Sequence, residues 1–302
     1  MKKSVKAWAV MEKRRILLLP IVICAFIFHS IPAFSKETVP FGLSPKYNPR
    51  IMYQLYQPFV DYLSENTPYQ FEIKLSRVYQ DIIDRLGSGE IVIGSCGPVS
   101  YIKAREKYDV KAVLRALNKD GKPYYRGIII VRQDSLVQNL SDLKGKSFAF
   151  GQALSTAGHI LPEYYLLKVN IRLKDLKEYS FLRHHDSVVN AVLRGQFDAG
   201  AVKDIIAYKY RKEGLRFIFI TDPIPTVPIV VRVNAPQEMV KSVKTALLNL
   251  NGKDPNHQKK MAQWDEEFKY GFTEVSDSDY DPIRKILREL EKEHGLRGLV
   301  RE

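Results

Sequence analysis

The chain predicts an α/β protein of two lobes, each a parallel-rich sheet flanked by helices. Three observations predict it. Strand-like and helix-like segments alternate along most of the sequence. The alternation falls into two series. Two long β-rich runs, Tyr124–Val131 and Val227–Val233, join the series, and such a pair of crossings forms a two-strand hinge beside a cleft.

In the first series, Val39–Leu43 reads as a strand and Tyr53–Ser64 has helical periodicity. Tyr69–Leu75 is extended. Tyr79–Leu86 is helical and stops at Gly87 and Gly89. Ile91–Gly94 is a short buried strand, and Pro98–Lys107 a helix with proline in its first turn. Val110–Ala116 is a strand, followed by a hairpin-like turn at Asn118–Gly121. The second series has strands at Ser147–Phe150, Glu178–Phe181, Ala199–Val202 and Phe217–Thr221. Its helices are Thr156–Val169, Ser187–Arg194 and Ile205–Glu213. The tail is helical, over Pro236–Leu250, His257–Glu267 and Pro282–His294. The lobes then divide as 36–126 for the first part of lobe 1 and 127–226 for lobe 2. The segment 227–302 returns to lobe 1 and adds the C-terminal helices.

The first 35 residues read as a targeting segment. Lys13, Arg14 and Arg15 precede an apolar run from Ile16 to Phe28, and Ala33-Phe34-Ser35 forms a small-x-small cleavage site before Lys36. The run is short for a membrane span. Met11 is an alternative start. Cys24 follows the bulky Ile23, whereas a lipid-modified cysteine follows a small residue, so lipid anchoring is not expected. Removing 35 of the 302 residues leaves 267, enough for two small α/β lobes. Six Lys/Arg and one Glu leave with the segment, which takes the net charge from +13 to +8. That excess suits an anionic ligand or surface. The basic residues are dispersed, which argues against nucleic acid. Cys96 is then the one remaining cysteine, so no internal disulfide forms.

The most informative stretch is 147–162. The strand Ser147–Phe150 runs into a turn at Gly151 and Gln152. Ser155 and Thr156 then stand where a helix starts, because Ile160, Leu161, Tyr164 and Leu167 follow at helical spacing. Two hydroxyls beside backbone N–H groups that lack intrahelical partners suit an oxyanion. The same hydroxyls also suit an ordinary N-cap. Gly158 leaves room for a ligand to approach the first turn.

Several motifs recur in a definite order. They are Gly42-Leu43-Ser44-Pro45, Gly97-Pro98-Val99-Ser100-Tyr101, Tyr125-Arg126-Gly127, and Leu140-Ser141-Asp142-Leu143-Lys144-Gly145-Lys146 before Ser147–Phe150. Ser155-Thr156-Ala157-Gly158 with Pro162, His185-Asp186, Gly195–Ala201, and Ile224-Pro225 with Pro228 complete the order. From about Val39 to Leu250 the chain resembles the periplasmic phosphate/phosphite/phosphonate-binding proteins of ABC importers. The resemblance implies a type 2 periplasmic binding protein fold. It also implies a phosphorus oxyanion held in the interlobe cleft, hinge closure, and delivery to an inner-membrane ABC permease. The protein is expected to act as a monomer in the periplasm, without cofactor or metal. One departure is that Ala157 stands where many relatives carry a third hydroxyl. Gln152 stands where relatives often carry Asp.

The candidate ligand-binding residues follow from both readings. Ser155 and Thr156 donate O–H bonds, and the turn through Ala157 and Gly158 adds backbone N–H groups. A hydrogen bond to a charged group contributes about 1.5–3 kcal/mol, so a handful suffices for micromolar binding without Lys or Arg. His185, matching the family's His before an acidic residue, is expected to donate as a cation beside the anion. Tyr101, Tyr47 and Tyr125 are candidate cleft aromatics. Asp204 is a candidate partner for a ligand ammonium, or else an N-cap for the following helix. Histidines 159, 184 and 185 fit no metal-binding spacing. A receptor-signalling binding protein is the alternative role, and a sulfonate, sulfate ester or thiamine-precursor phosphate the alternative ligand. An enzyme would need a base beside Ser155, and only His185 offers one.

Overall fold

The structure is a computed structural model that describes residues 36–294. The segment expected as a leader, with Met11 and Cys24, lies outside the described residues. Among the described residues no helix is long and apolar enough to cross a membrane.

Two main sheets carry the fold. The first is built from β1 (Glu37–Leu43), β2 (Tyr69–Leu75), β3 (Ile93–Ser95), β4 (Lys111–Ala116), β12 (Pro228–Val231) and β13 (Phe272–Thr273). Their order is β13-β4-β12-β3-β1-β2. The second holds β6 (Gly127–Arg132), β7 (Ser147–Phe150), β8 (Glu178–Phe181), β9 (Ala199–Lys203) and β10 (Leu215–Ile220), in the order β10-β6-β9-β7-β8. The helices of the first lobe are α1 (Pro49–Glu65), α2 (Tyr79–Ser88) and α3 (Pro98–Tyr108). The second has α4 (Leu161–Lys168), α5 (His185–Leu193) and α6 (Asp204–Tyr210). The tail has α7 (Gln237–Leu248), α8 (Pro255–Met261) and α9 (Asp281–His294).

Local chemistry explains most boundaries. Asn48 caps α1 by accepting from Ile51 N at 3.2 Å, with Pro49 at the first helical position. The helix α2 ends at Gly89, whose φ of 83° few other residues adopt readily. The C-terminal segment is anchored by apolar contacts. Phe59 on α1 meets Trp264 with ring centroids 5.1 Å apart and Phe268 at 4.7 Å. The loop after α8 is thereby held against α1.

The structure departs from sequence expectation in four places. The sheets are mixed rather than parallel-rich. The strands β1, β2 and β3 run parallel, as do β7, β8 and β9, but β6 and β12 run against their neighbours. These two strands enter directly from the other lobe, not through a flanking helix, and so run in the opposite sense. The long crossing runs are also interrupted. A separate ribbon pairs β5 (Tyr124–Tyr125) with β11 (Ile224–Pro225). Arg126 then breaks the first run, because its N–H donates to the Asp204 carboxylate at 2.8 Å instead of to a strand. The turn at Asn118–Gly121 closes with Gly121 N donating to Asn118 O at 2.8 Å. The strands flanking it do not pair with each other, since β4 joins β12 and β13. Finally, the helix expected over His257–Glu267 ends at Met261, and Asp265 and Glu267 lie in the following loop.

Candidate functional site

The ends of β1, β3 and β9 and the turn after β7 converge on one cavity of about 40 Å³. Its lining includes Ser44, Lys46, Tyr125, Ser155, Thr156, Ala157, His185, Lys203 and Glu267.

The expected helix start at Ser155 takes a tighter local form. Thr156–Ile160 is a π-type turn leading into α4, with Ile160 N donating back to Ser155 O at 3.1 Å. Ser155 is the N-cap, its Oγ accepting from Gly158 N at 3.1 Å. That bond uses an oxygen lone pair and leaves the hydroxyl proton available. Thr156 Oγ1 accepts from Val99 N at the start of α3, at 3.0 Å, and so joins the two lobes. The Tyr125 phenol approaches the Thr156 hydroxyl, and the Tyr79 phenol the Ser155 hydroxyl. Ala157 is buried and lines the cavity.

Gly158 has a different role from the one its sequence position suggests. It is not part of the cavity lining. A Cβ there would lie 2.8 Å from Ser155 Oγ, 3.1 Å from Gly151 Cα and 3.1 Å from His185 Cε1. Glycine is needed for this close backbone approach, not to admit a ligand.

The lobes meet through further polar contacts. Gln152 Oε1 accepts from Tyr79 N at 3.0 Å, and its Nε2 donates to Arg183 O at 2.7 Å. His185 N donates to Lys46 O at 3.2 Å.

The cavity has a charged side that sequence reasoning did not find. Lys46 Nζ donates to Asp265 and, at 2.9 Å, to Glu267 Oε2. Tyr47 and Tyr56 donate to Asp265 at 3.0 and 3.3 Å. Lys203, from the end of β9 in the second sheet, ion-pairs with Glu267 and stands 4.1 Å over the Tyr125 ring. Burial opposes the Lys46 charge, but Asp265 outweighs it and keeps its pKa above the usual lysine value. Burial, reinforced by Lys46, pulls the Lys203 pKa below the usual lysine range, while Asp204, Asp265 and the Glu267 contact favour its charge. Two buried lysines, one from each lobe, thus line the cavity beside the hydroxyls. A usable signal was Lys203's place at a strand C-terminus, where α/β ligands bind.

His185 lines the cavity, and its Nδ1 has no hydrogen-bond partner among the described residues. Burial, with Lys203, Lys46 and His184 nearby, lowers its pKa to about 3. It is therefore a neutral donor or acceptor, not the cation expected, because two ammonium groups share its site. Ser44 Oγ is also buried and unpartnered among the described residues. Buried polar atoms normally find partners. Two orphans lining one cavity mark it as built for a polar ligand.

Three other expected residues do not reach the ligand space. Tyr101 is a core aromatic, packed on Tyr280 at 4.9 Å and donating to Asp277 Oδ1 at 2.6 Å. Tyr47 stands behind Lys46 and holds Asp265. Asp204 is occupied by the backbone N–H groups of Arg126 and Ile205, each at 2.8 Å. It ties the crossing strand to α6 and is not among the residues that line the cavity. Cys96 lines the cavity, but burial pushes its thiol up to about 12, so it is an inert small residue. Among the described residues no group of three or more His, Cys, Asp or Glu is placed to hold a metal ion.

An enclosed cleft between two α/β sheets, with polar groups supplied from both sides, defines the class of two-lobed periplasmic solute-binding proteins. Residues 41–280 match the family described as ABC transporter, phosphonate, periplasmic substrate-binding protein, and the chain belongs to that family. It is the periplasmic substrate-binding component of an ABC phosphonate transporter. Among curated relatives it is 24% identical over 288 residues to a probable ABC transporter phosphite binding protein, PhnD1, of Prochlorococcus marinus (strain MIT 9301). That match covers 88% of this chain and 95% of the relative. It is 24% identical over 273 residues to the phosphonates-binding periplasmic protein of Escherichia coli (strain K12), covering 84% and 78%. In fold it resembles the structure of Prochlorococcus marinus PhnD1 in complex with methylphosphonate, with a TM-score of 0.74 and 21% identity, covering 85% and 100%.

Proposed function

We propose that the protein captures a compact phosphorus oxyanion, such as methylphosphonate, phosphite or phosphate, between its lobes and presents it to a membrane permease. The convergence of Ser44, Lys46, Ser155, Thr156, His185 and Lys203 from both sheets on one small cavity carries the reading. The bodies that move are 36–126 with 227–302, and 127–226. The anion bridges donors from both and so favours the closed form by its differential affinity. No bond is made or broken. The leader 1–35 directs export and is removed, and the mature protein acts as a monomer.

Calorimetric titration with methylphosphonate, phosphite and phosphate tests capture. At least one should bind at about micromolar or tighter. Small-angle scattering should show a smaller radius of gyration with that ligand. Absence of binding by all three would overturn the reading, and an unchanged scattering profile at saturation would overturn hinge closure.

Lys203 should make affinity depend on pH. A bound anion raises the Lys203 pKa above its ligand-free value, which burial and Lys46 hold below the usual lysine range, so the complex holds more protons than the free protein. Affinity is then highest below that value and falls as pH rises through it. Lys203→Met should remove this component beyond the ligand's own titration. His185→Gln should leave it in place, because His185 is already neutral across that range. A flattened profile in the His185 variant would return the proton to His185.

A further inference from the structure

The least expected group in an anion cavity is a carboxylate. Glu267 lies in the loop after α8, and its side chain is only 8% exposed. Its aim is fixed by its surroundings. Trp264 and Phe268, on either side, pack on Phe59. Glu267 N donates to Asp265 Oδ1 at 3.0 Å. Oε2 accepts from Lys46 Nζ at 2.9 Å and from Tyr56 at 3.2 Å, which uses both of its lone pairs. Oε1 meets Lys203 and keeps capacity for a second donor. With Asp265, the two carboxylates balance the two lysines, so the cluster offers a ligand no net positive charge when Lys203 is protonated.

A fully ionised ligand oxygen placed against Glu267 meets like charge in a buried site. An oxygen that carries a proton completes a hydrogen bond there. Phosphorus oxyacids retain a P–OH in their monoanionic form, whereas sulfonates and sulfate have no proton to offer near neutral pH. We propose that Glu267 is a specificity-determining residue that accepts the P–OH proton of a monoprotonated phosphorus oxyanion and excludes isosteric sulfur oxyanions. The inference rests on the phosphorus-oxyanion reading above and deepens it.

Two ligands isolate the effect. At mildly acidic pH, methylphosphonate and methanesulfonate have the same shape and the same single negative charge, and differ by one O–H proton. Calorimetry on the mature protein should show methylphosphonate binding about a hundredfold or more tighter than methanesulfonate, because a site built for a donor rejects the analogue lacking it. In Glu267→Gln the amide N–H serves the sulfonate, and the preference should shrink to within about tenfold, mainly by tighter sulfonate binding. Glu267→Asp keeps the charge but withdraws the acceptor by one methylene, and should also narrow the preference. It serves if the Gln variant does not fold. Wild-type affinities within about threefold of each other would overturn the role of Glu267 while leaving oxyanion capture standing. So would an undiminished preference in the folded Gln or Asp variant. Binding of neither ligand, nor of phosphite or phosphate, would overturn both readings.

Discussion

Lys46→Met should destabilise the folded protein by about 3–5 kcal/mol at neutral pH, the cost of removing one partner from a buried ion pair. Lys46 is shared by Asp265 and Glu267, and all three side chains are under one-tenth exposed. Methionine matches the volume of the lysine stem but leaves two buried carboxylates facing one remaining lysine, Lys203. Urea denaturation at neutral pH should show this loss directly. A loss below about 1 kcal/mol at neutral pH would mean that the pairs behave as solvated surface bridges.

Ser155→Ala should weaken binding of the preferred phosphorus oxyanion by about 1.5–3 kcal/mol, roughly tenfold to a hundredfold. The Oγ lone pair is engaged by Gly158 N at 3.1 Å, which leaves the hydroxyl proton for the ligand. The same substitution removes an N-cap, so stability should fall by about 1 kcal/mol. The two losses separate in measurement, affinity by calorimetry and stability by urea. Ser155→Thr keeps the hydroxyl and should retain most of the affinity. If Ser155→Ala folds and binds as tightly as wild type, Ser155 caps the turn and does nothing more.

Much of the scaffold was legible because its signals are local. Tyr69–Leu75, Ser147–Phe150 and Glu178–Phe181 form strands over the same residues that their patterning marks. The Ser155 turn was legible too, since a cap, its hydroxyl and the following apolar residues all lie within one short stretch. The tyrosines show where this stops. Tyr101 and Tyr125 both flank cleft-forming elements, and nothing near either residue says which phenol faces the cavity. Tyr101 is drawn away by Asp277, 176 positions later in the chain. Tyr125 is placed beside Lys203 by the pairing of β6 with β9.

The sequence by itself determined the alternation of elements, the two crossings between lobes and the hydroxyl-bearing turn, because backbone periodicity and capping depend on near neighbours. Only the tertiary structure decided that Lys46, Lys203 and Glu267, among 47 basic and 34 acidic residues, share one buried cavity. Lys46 and Glu267 are 221 positions apart. Their meeting depends on the aromatic packing of Trp264 and Phe268 against α1 and on the docking of one sheet against the other. Burial there also reverses the expected charge state of His185. Desolvation and two neighbouring ammonium groups are the largest influences on its protonation, ahead of the adjacent His184, and none of these three is a property of the residues beside it in the chain.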